Sequence, residues 1–162
     1  MIMYKYSIAY VLCILAVNIG FVYVPPMPVL GEMWPPMSLL VGLIFVLRDF
    51  SQREIGHRVI GAMLIGALLS YYLADPFVAV ASVAAFLISE TADWLVYTLS
   101  KRPLHQRIVI SSAIGTPLDS AVFLAMIGYF SVGGVVLMTI SKMVGAFVVM
   151  YLLQRRNHEA PV

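Results

Sequence analysis

The amino-acid sequence predicts an all-α membrane protein, a compact bundle of six transmembrane helices with both termini cytoplasmic. Three observations predict it. Hydrophobic residues make up 62% of the 162 positions and charged residues only 11%, with a mean hydropathy of +0.96; a soluble domain carries about 25% charged residues to cover its exterior. Polar residues, prolines and glycines divide the chain into six apolar segments, at 6–24, 37–47, 59–74, 76–99, 108–130 and 132–153. Lys and Arg occur in alternate connections, as they do when a chain crosses a bilayer repeatedly.

In hydrocarbon a continuous apolar run satisfies its backbone only as a helix or within a closed barrel, and runs of this length read as helices. The first follows Lys5 and resembles a secretory signal, but it is too long for an apolar signal core and lacks a small-x-small cleavage site, so a retained span is expected. The loop VPPMPVLGEMWPP is stiffened by proline and places Trp34 at headgroup level. Segment two runs into RDFSQREIGHR, where Asp49 and Arg53, and Glu54 and Arg58, stand four residues apart and can pair along a helix leaving the membrane. Segment three ends at the Asp75-Pro76 break. Segments one, four, five and six reach or approach the ~20 residues that cross about 30 Å of hydrocarbon, whereas two and three are shorter. No fixed-period repeat occurs, so residues 1–162 are expected to form a single domain.

Counting cations by connection sets the orientation. Lys5, then Arg48, Arg53 and Arg58, then Lys101, Arg102 and Arg107, then Arg155 and Arg156 fall on one side of six crossings. The opposite connections, VPPMPVLGEMWPP, AD and SVGG, hold none, which makes the basic side cytoplasmic. A net charge of +2, held in short clusters, argues against nucleic-acid binding. Cys13 has no second cysteine to pair with. Neither HExxH nor GxxxxGK[ST] is present, and His57, His105 and His158 fall in cytoplasmic connections, which argues against an intramembrane hydrolase, an ATP-driven pump, a metal or a cofactor. A small carrier remains.

Its chemistry is expected where charges lie at membrane depth. Glu90 and Asp93 stand one turn apart on segment four, in line with Phe86 and Tyr97. Asp119 on segment five and Lys142 on segment six reach similar depth, because the SVGG turn joins these segments as an antiparallel hairpin. Each such charge costs about 2.5–3.5 kcal/mol at a helix centre. Asp119 and Lys142 can neutralise one another, leaving Glu90 and Asp93 in excess. Unpaired intramembrane acids mark a substrate, ion or proton path. The alternative is that they only bond Ser112, Thr116 or Tyr97, or that Asp93 reaches toward Lys101 and Arg102. Pro117 removes a backbone donor and frees the carbonyl of Ala113, which predicts a bend just before Asp119; the bend either exposes backbone to a ligand or only improves packing. Asn18 is a further polar group at depth, suited to bonding between helices or to a ligand. Trp94, with Phe86 and Tyr97, is close enough to the acids to stack on a guest.

Four ordered stretches, DFSQREIG (49–56), ISETADWLVY (88–97), GTPLDSAVF (115–123) and ISKMVGAFVVMYLL (140–153), together with Asn18, resemble the signature regions of the queuosine precursor transporter family, also called the VUT family. The resemblance covers most of the chain in the right order. It implies a six-helix bacterial inner-membrane carrier importing cyano- and aminomethyl-deazaguanine bases for tRNA modification. The expected substrate-binding set is Asn18, Phe86, Glu90, Asp93, Trp94, Tyr97, Asp119 and Lys142, with Asp49, Arg53 and Pro117 structural or gating. A carboxylate can accept the adjacent N–H donors of a guanine-like edge as a fork, and Lys142 or Asn18 can meet the ring oxygen. Expected partners are the nucleobase, the bilayer and a second copy of the chain. Two other classes compete: the substrate-capture subunit of a vitamin transporter with a separate ATPase, and a structural protein whose acids are all internally paired.

Overall fold

The computed structural model describes residues 4–73 and 76–159. Among the described residues six α-helices follow one another: α1 Lys5–Tyr23, α2 Ser38–Ile55, α3 Val59–Leu73, α4 Pro76–Leu99, α5 Leu104–Met126 and α6 Val132–Glu159. Among the described residues five stretches are long and apolar enough to cross a membrane, one of them the 36-residue Ser38–Leu73, which contains α2 and α3. The protein is a helical membrane protein.

Proline and glycine set the breaks. α1 ends at Val24, ahead of Pro25 and Pro26, where the residue before a proline disfavours helix. The proline-rich connection then forms a hairpin, β1 (Met27–Val29) with β2 (Glu32–Trp34), registered Met27 to Trp34 and Val29 to Glu32. Its two-residue turn, Leu30-Gly31, has φ of 53° and 83°, the left-handed pair that a tight hairpin requires. Trp34 is not simply a headgroup anchor, since its indole Nε1 donates to Ser141 Oγ at 3.0 Å. Pro76 opens α4, where its missing N–H costs nothing; Asp75 lies outside the described residues. Pro103 precedes α5, and Gly128, at φ 77°, follows its end.

Segment two is longer than its apolar run implies. α2 continues eight residues past Leu47 before Gly56, at φ 62°, and a single 3-10 turn at Gly56–Arg58 reverse the chain. Arg48 and Asp49 therefore lie inside the bundle rather than in a basic connection, and both are fully buried. The expected Asp49 to Arg53 pair does not form: Asp49 pairs with Arg48, and Arg53 is exposed at the end of α2. Glu54 does not pair with Arg58 either. It reaches the start of α1, accepting from the Tyr6 and Ser7 amides at 3.3 and 3.0 Å and from Ser7 Oγ at 2.8 Å. A carboxylate there satisfies amides that have no partner within their own helix and meets the positive end of the helix dipole.

Contacts along the helices set their directions. Glu54 near the end of α2 meets the start of α1, while Gly20 near the end of α1 faces Met37 at the start of α2, so the two are antiparallel. α3 runs beside α1 in the same sense, with Gly66 at Ile14 and Ser70 at Asn18. α4 opposes α3, with Phe86 at Gly66 and Trp94 at His57. α5 opposes α2, with Phe45 at Gly115 and Asp49 at Ser111. α6 follows α2, with Ser38 at Ser141 and Gly42 at Ala146. Successive helices thus alternate, and the start of α1 lies at the same end as the close of α6.

α2 and α6 touch through backbone. A Cβ on Gly42 would overlap the carbonyl of Lys142, and one on Gly145 the carbonyl of Leu39; small residues permit this approach where lipid supplies no hydrophobic drive between helices. Buried polar and charged side chains sit among apolar core clusters, and the exterior is largely apolar. Ser51, Ser89, Asp93, Ser111, Thr116 and Ser120 are completely buried, while Leu12, Leu64, Val136 and Leu152 are exposed, as expected when lipid is the solvent.

Candidate functional site in the bundle interior

The inner layer of the site is organised by a residue that charge counting had placed outside the membrane. Arg48, on α2, is wholly buried and distributes its guanidinium among three acids. Nη1 donates to Asp49 Oδ1 at 2.6 Å and to Gln52 Oε1 at 2.8 Å. Nη2 pairs with Asp93 Oδ2, and Nε stands 3.5 Å from Glu90 Oε2. A planar fork with several donors suits this task, and a lysine ammonium could not address three directions from one plane. Asp49 accepts Ser111 Oγ at 2.7 Å, and Gln52 Nε2 donates to Thr98 Oγ1 at 2.8 Å.

Glu90 and Asp93 both keep oxygens that no hydrogen bond reaches among the described residues, Oε1 of the first and Oδ1 of the second, and Glu90 has the longer ion pair to Arg48. Glu90 Oε2 accepts the Tyr10 hydroxyl at 2.8 Å, whereas its Oε1, buried with the rest of the side chain, has no hydrogen-bond partner among the described residues. The expectation that Glu90 and Asp93 lack a protein cation is corrected by Arg48. An excess persists nevertheless, because Asp49 enters as a fourth acid: Asp49, Glu90, Asp93 and Asp119 face two cations, Arg48 and Lys142.

The outer layer lies one turn away along α4, from Asp93 to Ser89, and about two turns away along α5, from Ser111 to Asp119. Lys142 on α6 meets Asp119 on α5 at 2.5 Å and donates to Ser120 Oγ at 2.8 Å. Ser89 Oγ donates to the other Asp119 oxygen at 3.2 Å, which ties α4 to this pair. Asp119 retains 16% exposure, while Lys142 retains 1%. Trp34, Ser38 and Ser141 form a hydroxyl-centred cluster beside Lys142.

The remaining expected residues divide. Asn18 donates to Ile14 O at 2.8 Å and to Ser70 Oγ at 3.3 Å, joining α1 to α3 rather than reaching the charges. Phe86 packs against Gly66 and the apolar cluster around Ile14, Ile44 and Met63. Trp94 meets His57 edge-on at 5.6 Å, and its Nε1 is buried without a hydrogen-bond partner among the described residues. Tyr97 is buried, with the Arg107 guanidinium 5.3 Å over its ring. Pro117 lies within an unbroken α5, where Thr116 Oγ1 bonds the Ser112 carbonyl and Ser120 Oγ the Thr116 carbonyl. Tyr10, Gln52, Ser111 and Arg48 are the members that sequence reasoning missed. Tyr10 is one of nine tyrosines in an apolar chain, and only the reach of its hydroxyl across the interior to Glu90 on α4 distinguishes it.

Among the described residues no group of His, Cys, Asp and Glu is arranged to hold a metal ion. The charged cluster is closed: Arg48, Asp49 and Asp93 have no exposure and Glu90 has 1%. A recess of about 330 Å³ lies elsewhere, on the apolar exterior, lined by Ser7, Ile8, Val11, Leu12 and Ala62.

A buried, charge-rich interior enclosed by apolar helices is an arrangement that intramembrane transport sites use. A comparison with family models matches residues 36–155 to the family described as "Putative vitamin uptake transporter", a region running from the start of α2 into α6 and holding every charged member of the site. No curated protein and no solved structure matches the chain. By that match the chain belongs to the vitamin uptake transporter, or VUT, family.

Proposed function

We propose that this transporter carries a planar, donor-rich nucleobase across a bacterial inner membrane, and that its substrates are the deazaguanine precursors of queuosine. In this reading the six helices each cross the bilayer, with both chain ends in the cytoplasm. Lys5, Arg53, Arg58, Lys101, Arg102 and Arg107 then lie on the cytoplasmic side, as the positive-inside bias requires.

The observation that carries the reading is the acid surplus, and within it Glu90, whose Oε1 is buried and unbonded. A carboxylate oxygen in that condition accepts hydrogen bonds that the surrounding helices do not supply. A guanine-like edge offers two adjacent N–H donors, and Glu90 with Asp93 one turn away can receive them. Asp119 and Lys142, in the next layer, would face the ring nitrogen and the ring oxygen, and Phe86 and Trp94 the ring face. Entry requires the helices to part, as alternating access does in carriers generally.

Uptake of labelled precursor by cells unable to synthesise it tests this. Transport should be lost in Glu90→Gln and in Asp119→Asn at equal expression; normal uptake by both variants sinks the assignment. A base analogue lacking the exocyclic amine should bind roughly ten- to a hundred-fold more weakly, because one carboxylate oxygen then stays unpaired. The family description, vitamin uptake, favours one competitor, a capture subunit that needs a separate ATPase. Uptake into vesicles containing this chain alone would exclude it.

A further inference from the structure

Arg48 presents a guanidinium to the acids that, under the function just proposed, receive the substrate. The chemistry of the two ligands coincides. A guanine-type ring contains a guanidine unit, its N–H and exocyclic amine flanking one carbon, and both groups are planar arrays of parallel N–H donors that fit carboxylates edge-on. We propose that Arg48 is a tethered stand-in for the substrate: it occupies the Glu90 and Asp93 carboxylates when no base is bound, and an arriving base displaces it. The inference rests on the nucleobase reading and adds the device by which that site closes and selects.

Three features of the geometry support it. The cation is on α2 and the acids it would release, Glu90 and Asp93, are on α4, so exchanging Arg48 for a free ligand removes two of the ties between these helices and leaves the Gln52–Thr98 bond. Arg48 also has somewhere to go: its Nη1 is held by Asp49 and Gln52 on its own helix, at 2.6 and 2.8 Å, and these contacts survive if Nε and Nη2 leave α4. Finally the grip is uneven. The Nε to Glu90 distance of 3.5 Å is the longest of the ion pairs that Arg48 and Lys142 make, although Glu90 and Asp93 alike keep an unbonded oxygen. Displacement would begin at Glu90, where least is lost, and end at Asp93.

A stand-in has a cost in affinity. If the site is open in only 0.1–10% of molecules, a common range for a minor state, apparent binding is weakened by that fraction, about tenfold or more. Removing the competitor should recover it. The opposite holds if Arg48 is itself a substrate contact, for example on the ring oxygen, since its removal would then weaken binding.

The test measures deazaguanine affinity for the purified full chain in detergent, in wild type, Arg48→Ala and Arg48→Lys. Expected is binding about tenfold tighter or more in Arg48→Ala, with Arg48→Lys in between because an ammonium cannot fork. Methylguanidinium should compete with deazaguanine in Arg48→Ala, as both would occupy the vacated carboxylates. Should Arg48→Ala fail to fold, Arg48→Lys keeps a cation among the acids and carries the comparison alone. If wild type binds the base and the variants bind it equally or more weakly, the stand-in is overturned and the nucleobase reading stands. If none of the three forms binds it, the nucleobase reading fails and takes the stand-in with it.

Discussion

The two charged layers of the bundle answer the same problem differently. In the outer layer Lys142 faces Asp119 one to one, with Ser89 and Ser120 completing the bonds. In the inner layer one cation, Arg48, is shared among Asp49, Glu90 and Asp93. A balanced buried pair is self-contained and holds helices together. An unbalanced cluster is not, and it leaves Glu90 Oε1 and Asp93 Oδ1 without a hydrogen bond among the described residues. The same residue classes, a few turns apart, therefore form a one-to-one pair in one layer and a shared, unbalanced cluster in the other.

That contrast can be broken experimentally, and the largest effect should come from the shared cation. Arg48→Met strands three buried acids at once and should cost about 3–5 kcal/mol, seen as a large fall in melting temperature in detergent. Lys142→Met should cost less, because Asp119 keeps water access through its 16% exposure. Equal losses would mean that the inner acids are not more dependent on their cation than the outer one.

The acids should show the reverse asymmetry. Asp119→Asn removes the only carboxylate that Lys142 pairs with among the described residues and should destabilise by about 3 kcal/mol. Glu90→Gln removes a charge that the cluster holds in excess, so stability should change by less than about 1 kcal/mol while uptake is lost. In a double-mutant cycle, Asp119→Asn with Lys142→Met should show a coupling of roughly 1–3 kcal/mol, and Glu90→Gln with Lys142→Met almost none.

Smaller effects separate the scaffold from the charges. Gly145→Ala drives a methyl into the Leu39 carbonyl across the α2–α6 contact and should cost roughly 1–3 kcal/mol, with melting temperature as the readout. Smallest is Trp34→Phe, which removes the Nε1 to Ser141 bond beside Lys142; about 1 kcal/mol is expected. A larger loss would show that the hairpin over the outer layer, and not the Lys142–Asp119 pair alone, keeps that end closed.

Much of the architecture was legible because lipid imposes simple rules. Apolar runs between Pro25-Pro26, Pro76, Pro103 and Gly128 had to be helices, and the ends of α1, α4 and α5 follow those residues. Asp119 and Lys142 could be paired from depth alone, because a short turn fixes two neighbouring helices in register. Arg48 could not be placed the same way. An arginine at the edge of an apolar run reads as a loop cation, since the cost of burying it is offset only by partners sixty-two and forty-odd positions removed along the chain, at Ser111 through Asp49 and at Glu90 and Asp93.

By itself, then, the order of residues determined that this chain is a helical membrane protein, that its helices break near Pro25 and Pro76, and that acids exceed bases in its interior, because each follows from transfer of side chains and backbone between water and hydrocarbon. Tertiary structure decided which acid meets which cation. It turned α2 inward past Leu47, brought Tyr10 to Glu90 and set Arg48 across three carboxylates. Such matches depend on helix rotation and on close backbone approach at Gly42 and Gly145, geometry that no local pattern of residues encodes.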